Sequence, residues 1–500
     1  MSTGTQPETQ PAPRLERERG VVAAVPDGLL IGGDWRPAAS GGTFPVEDPS
    51  RGRELRTVAD AGAEDALAAA ASAAAAQDAW AATAPRERGE ILRRAYELLL
   101  ERREDLALLM TLEMGKPLAE ARGEVAYAAE FFRWFSEEAV RIEGGYQTSP
   151  DGKDRFVVMR RPVGPVLLVT PWNFPLAMGT RKIGPAVAAG CTMIVKPAEQ
   201  TPLSMLALAR ILTEAGLPAG VLNVLTTSRP GEVVEPLLRG GTIRKLSFTG
   251  STQIGRLLLE QSAEQVLRVS LELGGNAPFL VCADADLDKA VEGAMAAKMR
   301  NMGEACTAAN RLYVHADVAG EFAERLAARM AALTVGRGTE PGVDVGPLID
   351  EDGRGKVDTL VEDAVGRGAK VLTGGGHAPG EGYFYQPTVL SGVPADAAML
   401  HQEIFGPVAP ILTFTDEDEA VAAANATQYG LVSYLFTENL ERAFRLSERL
   451  DTGMVGLNKG VVSNPAAPFG GVKQSGLGRE GGRTGIDEFL ETRYLAMPLG

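Results

Sequence analysis

The sequence predicts an α/β protein of two domains, each built on a parallel sheet. Three observations lead there. The chain has 500 residues, too many for one hydrophobic core. Short apolar runs alternate with helix-like segments, the pattern of βαβ units. The paired glycines Gly274 and Gly275 divide these runs into two series.

The elements follow in order. The first 25 residues, rich in Pro, Gln, Thr, Glu and Arg, read as a disordered tail. The alanine-rich run from Ala66 to Ala76 reads as a helix through alanine's intrinsic propensity. Helical periodicity is clear from Arg86 to Arg141, with Ile91, Ala95, Leu98 and Leu99 on one face. The first series of strands then reads "PVLLVT" (165–170), "CTMIVK" (191–196), "VLNVL" (221–225) and "KLSFTG" (245–250), with helices such as "LSMLALARILTEAG" (203–216) between them. The second follows "LELGG" (271–275): "APFLVC" (277–282), "RLYVH" (311–315), "PILTF" (410–414) and "MVGLN" (454–458). "KDRFVVMRR" (153–161) and "TRYLAMPL" (492–499) fit neither series. Each reads as a lone extended segment, either an edge strand of this chain or one paired with a neighbouring subunit.

Composition excludes several classes. Hydrophobic residues make up 45% and charged residues 23%, as in ordinary globular proteins. A formal net charge of −15 argues against nucleic acid or an anionic membrane as partner. The N-terminus lacks the apolar stretch of a secretory signal, and the alanine run is too short to span a bilayer. Cys191, Cys282 and Cys306 are odd in number and far apart. They form neither a disulfide framework nor a zinc pattern, which points to a reducing compartment, the cytoplasm.

The chemistry-bearing candidates are local. In "NMGEACTAANR" (301–311), Cys306 is either a small core residue or a nucleophile. The histidines His315, His377 and His401 stand in no Cys/His pattern, so a reactive Cys306 would need a carboxylate as its base. Glu272 in "LELGGNAP", at a strand end before two glycines, offers one. "TGSTQIG" (249–255) follows a strand and opens a helix, where Gly250, Ser251 and Thr252 could face a pyrophosphate; a capped turn explains it equally. "VKPAEQTP" (195–202) leaves a strand end with Lys196 and Glu199 three apart, a place for a ligand at the carboxyl edge of a parallel sheet.

Seven motifs occur in one order: "TPWNFP" (170–175), "KPAEQTP" (196–202), "FTGSTQIG" (248–255), "LELGG" (271–275), "GEAC" (303–306), "EIFGP" (403–407) and "PFGGVKQSGLGREGG" (468–482). From about Asp34 to Leu499 the chain resembles the aldehyde dehydrogenase superfamily. "TRKIG" (180–184), "RNMGEACTAANRLYV" (300–314) and "APFGGVKQSGLGREGG" (467–482) look most like its succinate-semialdehyde dehydrogenase branch.

The resemblance implies a Rossmann-type coenzyme domain (26–140 and 162–274), an α/β catalytic domain (275–477) and a small β oligomerisation region (141–161 and 478–500). It implies Cys306 as nucleophile, Asn173 as oxyanion donor and Glu272 as the base that activates water. For NAD(P)+ it implies Trp172, Lys196, Glu199, Gly250, Ser251, Leu273, Glu403 and Phe405, with Glu199 leaning toward NAD. Arg181, Arg300 and Ser463 would hold a substrate carboxylate, and the protein would be a homodimer or homotetramer. Two departures stand out. Glu304 replaces the usual glutamine and would place a negative charge near the thiol, raising its pKa. Ala308 replaces a second cysteine found in animal members, which removes any Cys-x-Cys disulfide.

Overall fold

The computed structural model describes residues 12–498. Five parallel strands form the first sheet's centre, in the spatial order Arg268–Glu272, Lys245–Thr249, Val166–Val169, Met193–Lys196, Leu222–Val224. The chain starts in the middle, winds to one side through three strands, then returns to fill the other. Such a doubly wound sheet opens a crevice at the carboxyl ends of its strands, where the winding reverses. Leu29–Ile31 with Asp34–Arg36 and the short strand Gly476–Leu477 close its two edges antiparallel. Leu167, Ile194, Leu246 and Leu271 are buried on one face, as a sheet covered by helices requires.

The second sheet runs Lys370–Thr373, Thr388–Ser391, Val408–Phe414, Ala309–His315, Ala277–Val281, Val432–Phe436, Met454–Leu457, all parallel except the first. The strand Val432–Phe436 was not legible as an apolar run because Ser433 and Tyr434 interrupt it. Both are buried with their hydroxyls satisfied, Ser433 by Thr452 and Tyr434 by the Thr307 carbonyl at 2.8 Å. The division at Gly274–Gly275 falls between strands of different sheets.

The periodic stretch from 86 to 141 is three helices, Pro85–Glu101, Arg103–Met114 and Leu118–Glu138. Gly115 ends the second with a left-handed φ of 95°. The two lone segments pair with each other inside the chain: Asp154–Pro162 lies antiparallel to Leu490–Pro498 along its whole length, with Gly145–Thr148 on its other side.

The tail reading needs correction. Residues 12–23 form the helix Ala12–Ala23. Val22 and Val25 are buried, Arg337 donates to both carboxylate oxygens of Glu18 at 2.8 and 2.9 Å, and Arg56 holds the carbonyls of Val22 and Val25. Those partners lie far along the chain, so local composition gave no sign of them. Residues 1–11 lie outside the described residues. Among the described residues no helix is long and apolar enough to cross a membrane.

Candidate active site

The loops leaving the first sheet's carboxyl edge bring the motifs together. Thr170 to Asn173 follow the strand Val166–Val169. Lys196 ends the next strand, buried, with its Nζ 3.2 Å from Glu199, whose side chain is 42% exposed. Gly250 and Ser251 follow Lys245–Thr249, and the Ser251 hydroxyl caps the helix Thr252–Ala263 by accepting from the Ile254 N–H. A Cβ on Gly250 would lie 2.4 Å from the Phe248 ring, so only glycine fits there. At Gly275 a Cβ would lie 2.3 Å from the Cys306 carbonyl. That close approach joins the two sheets beside the thiol.

Cys306 is half-buried, just after the helix Leu287–Met299. Between them Asn301, Met302 and Gly303 all have left-handed φ values of 54°, 58° and 81°. Two non-glycine residues in that region store strain of ~1–3 kcal/mol each. Buried polar groups hold the turn. The Asn301 N–H donates to Glu120, and the Asn301 amide donates to the carbonyls of Asn173 and Glu304 at 3.0 Å each. Lys116 donates to the Asn173 carbonyl at 2.8 Å and pairs with buried Glu124. The Asn173 amide is aimed by these supports and donates to the Glu304 carbonyl at 3.0 Å. Sequence reading missed Lys116, Glu120, Glu124 and Asn301. Glu120 and Glu124 showed only charge at helix positions, which solvated faces show equally, while Lys116 lies between two helices and Asn301 in the turn before Cys306.

The thiol opens on a cavity of ≈ 300 Å³. Asn173, Trp172, Gly250, Ser251, Leu273, Glu403 and Phe405 line it, together with Arg181, Arg300 and Ser463. Trp172 and Phe405 meet edge to face at 5.4 Å. The Arg300 guanidinium lies over the Phe174 ring at 4.9 Å and donates to the Ser463 hydroxyl at 3.2 Å. Arg181 is only 2% exposed, stacks on Phe469 at 3.8 Å and pairs with Glu480 at 2.6 Å. Its Nη2 is buried without a partner. Three expected site residues do not line the cavity: Glu272, Lys196 and Glu199. Lys356 and Asp350, not anticipated, do.

Burial governs the electrostatics. It pushes the Cys306 thiol up to about 12, with Glu403 and Glu272 adding to the rise and Arg181 and Arg300 opposing it. Burial also lifts Glu403 to about 7, against a hydrogen bond from the Gly275 N–H and the charges of Lys356 and Lys298. Glu272 is withdrawn behind the cavity, its Oε1 beside Gly470 and its Oε2 unpartnered. Burial and then the Glu480 charge hold its carboxyl well above the usual range. Glu480 shifts the other way: burial opposes it, but Lys182 and Arg181, each at 2.6 Å, keep it ionised.

The expectation for Glu304 is corrected. Its Oε1 accepts from the Ile349 N–H at 3.0 Å, and burial holds its carboxyl well above the usual range. That rise favours the neutral acid, close in shape to the glutamine it replaces. The groups that act on Cys306 are Glu403, Arg181, Glu272 and Arg300.

The residues present suit a dinucleotide. Thr249 Oγ1 is buried without a partner and lines the cavity beside Gly250 and Ser251, at a helix N-terminus that favours phosphate. A doubly wound sheet whose ligand edge opens onto a buried thiol defines a dinucleotide-dependent oxidoreductase working through cysteine chemistry. The aldehyde dehydrogenase family pattern matches residues 35–495, and the chain belongs to that family. It is 61% identical to a succinate-semialdehyde dehydrogenase of Paenarthrobacter nicotinovorans, over 89% of this chain and 98% of that one. It is 52% identical to a glutarate-semialdehyde dehydrogenase of Pseudomonas putida, over 93% and 97%. A crystal structure described as an E. coli NADP dependent enzyme superposes with a TM-score of 0.94 at 50% identity, covering 95% of this chain and 98% of the other.

Proposed function

We propose that this aldehyde dehydrogenase oxidises succinate semialdehyde to succinate with NAD(P)+, as a cytoplasmic homodimer or homotetramer. The observation that carries the substrate reading is the pair of arginines facing Cys306 across one cavity. Arg300 donates to Ser463, and Arg181, which lines the same cavity, keeps a buried Nη2 without a partner. A substrate carboxylate supplies the acceptor that a buried guanidinium lacks. The resemblance to the succinate-semialdehyde branch at Arg181, Arg300 and Ser463 points the same way.

In this reading Cys306 attacks the aldehyde carbon and gives a thiohemiacetal. The Asn173 amide and the Cys306 N–H stabilise its oxyanion. Lys196, Glu199, Ser251 and Glu403 hold the dinucleotide, whose nicotinamide supplies the hydride acceptor when bound. Loss of hydride leaves a thioester on Cys306. Glu272 then takes a proton from water, and the hydroxide displaces the Cys306 sulfur, leaving the product carboxylate and the regenerated thiol. The first sheet's domain holds the coenzyme, the second sheet's domain carries the thiol, and the three-stranded sheet serves assembly.

The test compares succinate semialdehyde with butanal. Arg300→Leu should cut the preference for the semialdehyde by about a hundredfold, the ~3 kcal/mol cost of burying a charge unpaired, with the butanal rate retained. Arg181→Ala should slow both substrates, because it also releases Glu480 beside Glu272. Equal losses on both substrates for Arg300→Leu would show that it supports the fold only. Glutarate semialdehyde is the rival, since one methylene discriminates by only ~1–3 kcal/mol; a higher kcat/KM for it than for succinate semialdehyde replaces the substrate named here.

Cofactor choice rests on Glu199, whose carboxylate would repel a 2′-phosphate while Lys196 offsets part of that charge. Glu199→Ser should shift the NADP to NAD ratio of kcat/KM by about tenfold toward NADP, equivalent to ~1.4 kcal/mol. An unchanged ratio would mean that Glu199 discriminates nothing.

A further inference from the structure

One fully buried lysine has no part in the chemistry described so far. Lys298 lies in the last turn of the helix Leu287–Met299, just before the turn that leads to Cys306, and its side chain is shut off from solvent. Its ammonium donates to Asn310 Oδ1 at 2.8 Å and to the Gly406 carbonyl at 3.3 Å. Both acceptors are neutral. A methionine would fill similar space without the cost of taking an ammonium out of water, so the charge calls for a partner beyond these two.

Its hydrogen bonds tie together three segments around the thiol. Asn310 lies just past Cys306, in the strand Ala309–His315. Gly406 closes the loop that carries Glu403 and Phe405. Phe405 stands in the left-handed region with φ 55°, a strain that its surroundings must hold. Gly406 is enclosed. A Cβ there would lie 2.5 Å from Val357, and a Cβ on Gly303, in the turn before the thiol, would lie 2.1 Å from its carbonyl oxygen. Lys298 therefore grips the loop where it touches the thiol's turn. Burial lowers the Lys298 ammonium to about 7, and Glu403 opposes that fall. The action is mutual: burial raises Glu403, against the Gly275 N–H and the charges of Lys356 and Lys298. The other titratable groups that feel Glu403 are the Cys306 thiol and the Tyr429 phenol, and neither carries a positive charge.

We propose that Lys298 is a positioning residue for the cofactor: it anchors the Glu403–Gly406 loop against the turn before Cys306 and supplies Glu403 with a buried positive charge. The inference rests on Glu403 holding the dinucleotide. A hydroxyl of the dinucleotide donates more strongly to a carboxylate than to a carboxylic acid, so a group that favours the ionised form of Glu403 tightens the cofactor. Lys298 does not line the cavity and touches neither cofactor nor substrate. The cofactor feels it through Glu403.

The experiment is a fluorescence titration of the intact protein with NAD(P)H, without aldehyde. Lys298→Met removes the charge; the Gly406 carbonyl keeps the Val408 N–H at 2.9 Å, so only the Asn310 oxygen is left without its donor. Asn310→Asp keeps Lys298 and cancels its charge with a neighbouring carboxylate of the same shape, and the Asn310 Nδ2 that it replaces has no partner to lose. Each variant should weaken binding by about tenfold, within the range for interacting neighbours. In a Glu403→Gln background neither should weaken it further. Should Lys298→Met fail to fold, Asn310→Asp alone carries the test. Unchanged affinity in either folded variant overturns the inference. So does an equal loss in the Glu403→Gln background, which marks a purely structural role. Failure of the underlying reading is separate: unaltered affinity in Glu403→Gln alone removes Glu403 from the cofactor site, and the inference goes with it.

Discussion

Cys306→Ala is expected to lower NAD(P)H formation from any aldehyde by on the order of 10⁵-fold, the scale of removing a covalent nucleophile. No other thiol can stand in. Cys191 and Cys282 are buried, held up to about 11 and about 12 mainly by that burial, and neither lines the cavity. A carboxylate cannot replace the thiol either, because it is a far weaker nucleophile toward an aldehyde carbon than a thiolate. Cofactor affinity should stay near the wild-type value, since Lys196, Glu199 and Ser251 belong to loops of the other sheet. Fluorescence titration with NAD(P)H checks the binding and absorbance checks the rate. A variant retaining more than about a hundredth of the activity would remove Cys306 from the reaction.

What the sequence could show depended on how far apart the interacting residues lie. Trp172, Asn173, Gly250, Ser251 and Leu273 were legible because each follows a recognisable strand, and the carboxyl edge of a doubly wound sheet collects such residues. Their roles came from the ordered motifs and not from any one fragment. The supports beneath the thiol were not legible. Lys116 and Glu124 look like ordinary charged residues, and only the fold brings them under Asn173. The helix Ala12–Ala23 depends on Arg337, more than three hundred residues away. Glu304 misled for a related reason: its charge was counted from the letter code, whereas burial raises its carboxyl and favours the neutral form. Arg181 lines the cavity, but its pairing with Glu480 ties it to Glu272 as well.

Glu272→Gln should separate the two halves of the reaction. Acylation and hydride loss do not require Glu272, so the first turnover should still give a burst of NAD(P)H with an amplitude near one per active site. Removing the carboxylate also removes a charge that raises the Cys306 thiol, so the burst should not slow. Hydrolysis of the thioester then lacks its base, and steady turnover should fall by on the order of 10³-fold, within the range of general-base catalysis. Glutamine keeps the shape beside Gly470, so the fold is not at stake. The pH dependence gives an independent check. Burial and Glu480 raise the Glu272 carboxyl well above its ordinary value, so its base form grows as pH rises. Wild-type steady turnover should therefore rise with pH until that carboxyl is ionised, and the residual turnover of Glu272→Gln should lose that rise. Stopped-flow absorbance across a pH series reads both quantities. A burst that disappears while cofactor still binds would assign Glu272 to acylation. Unaltered steady turnover would mean that the water is activated by another group, and Glu403, held at about 7 and lining the same cavity, would be the next residue to replace.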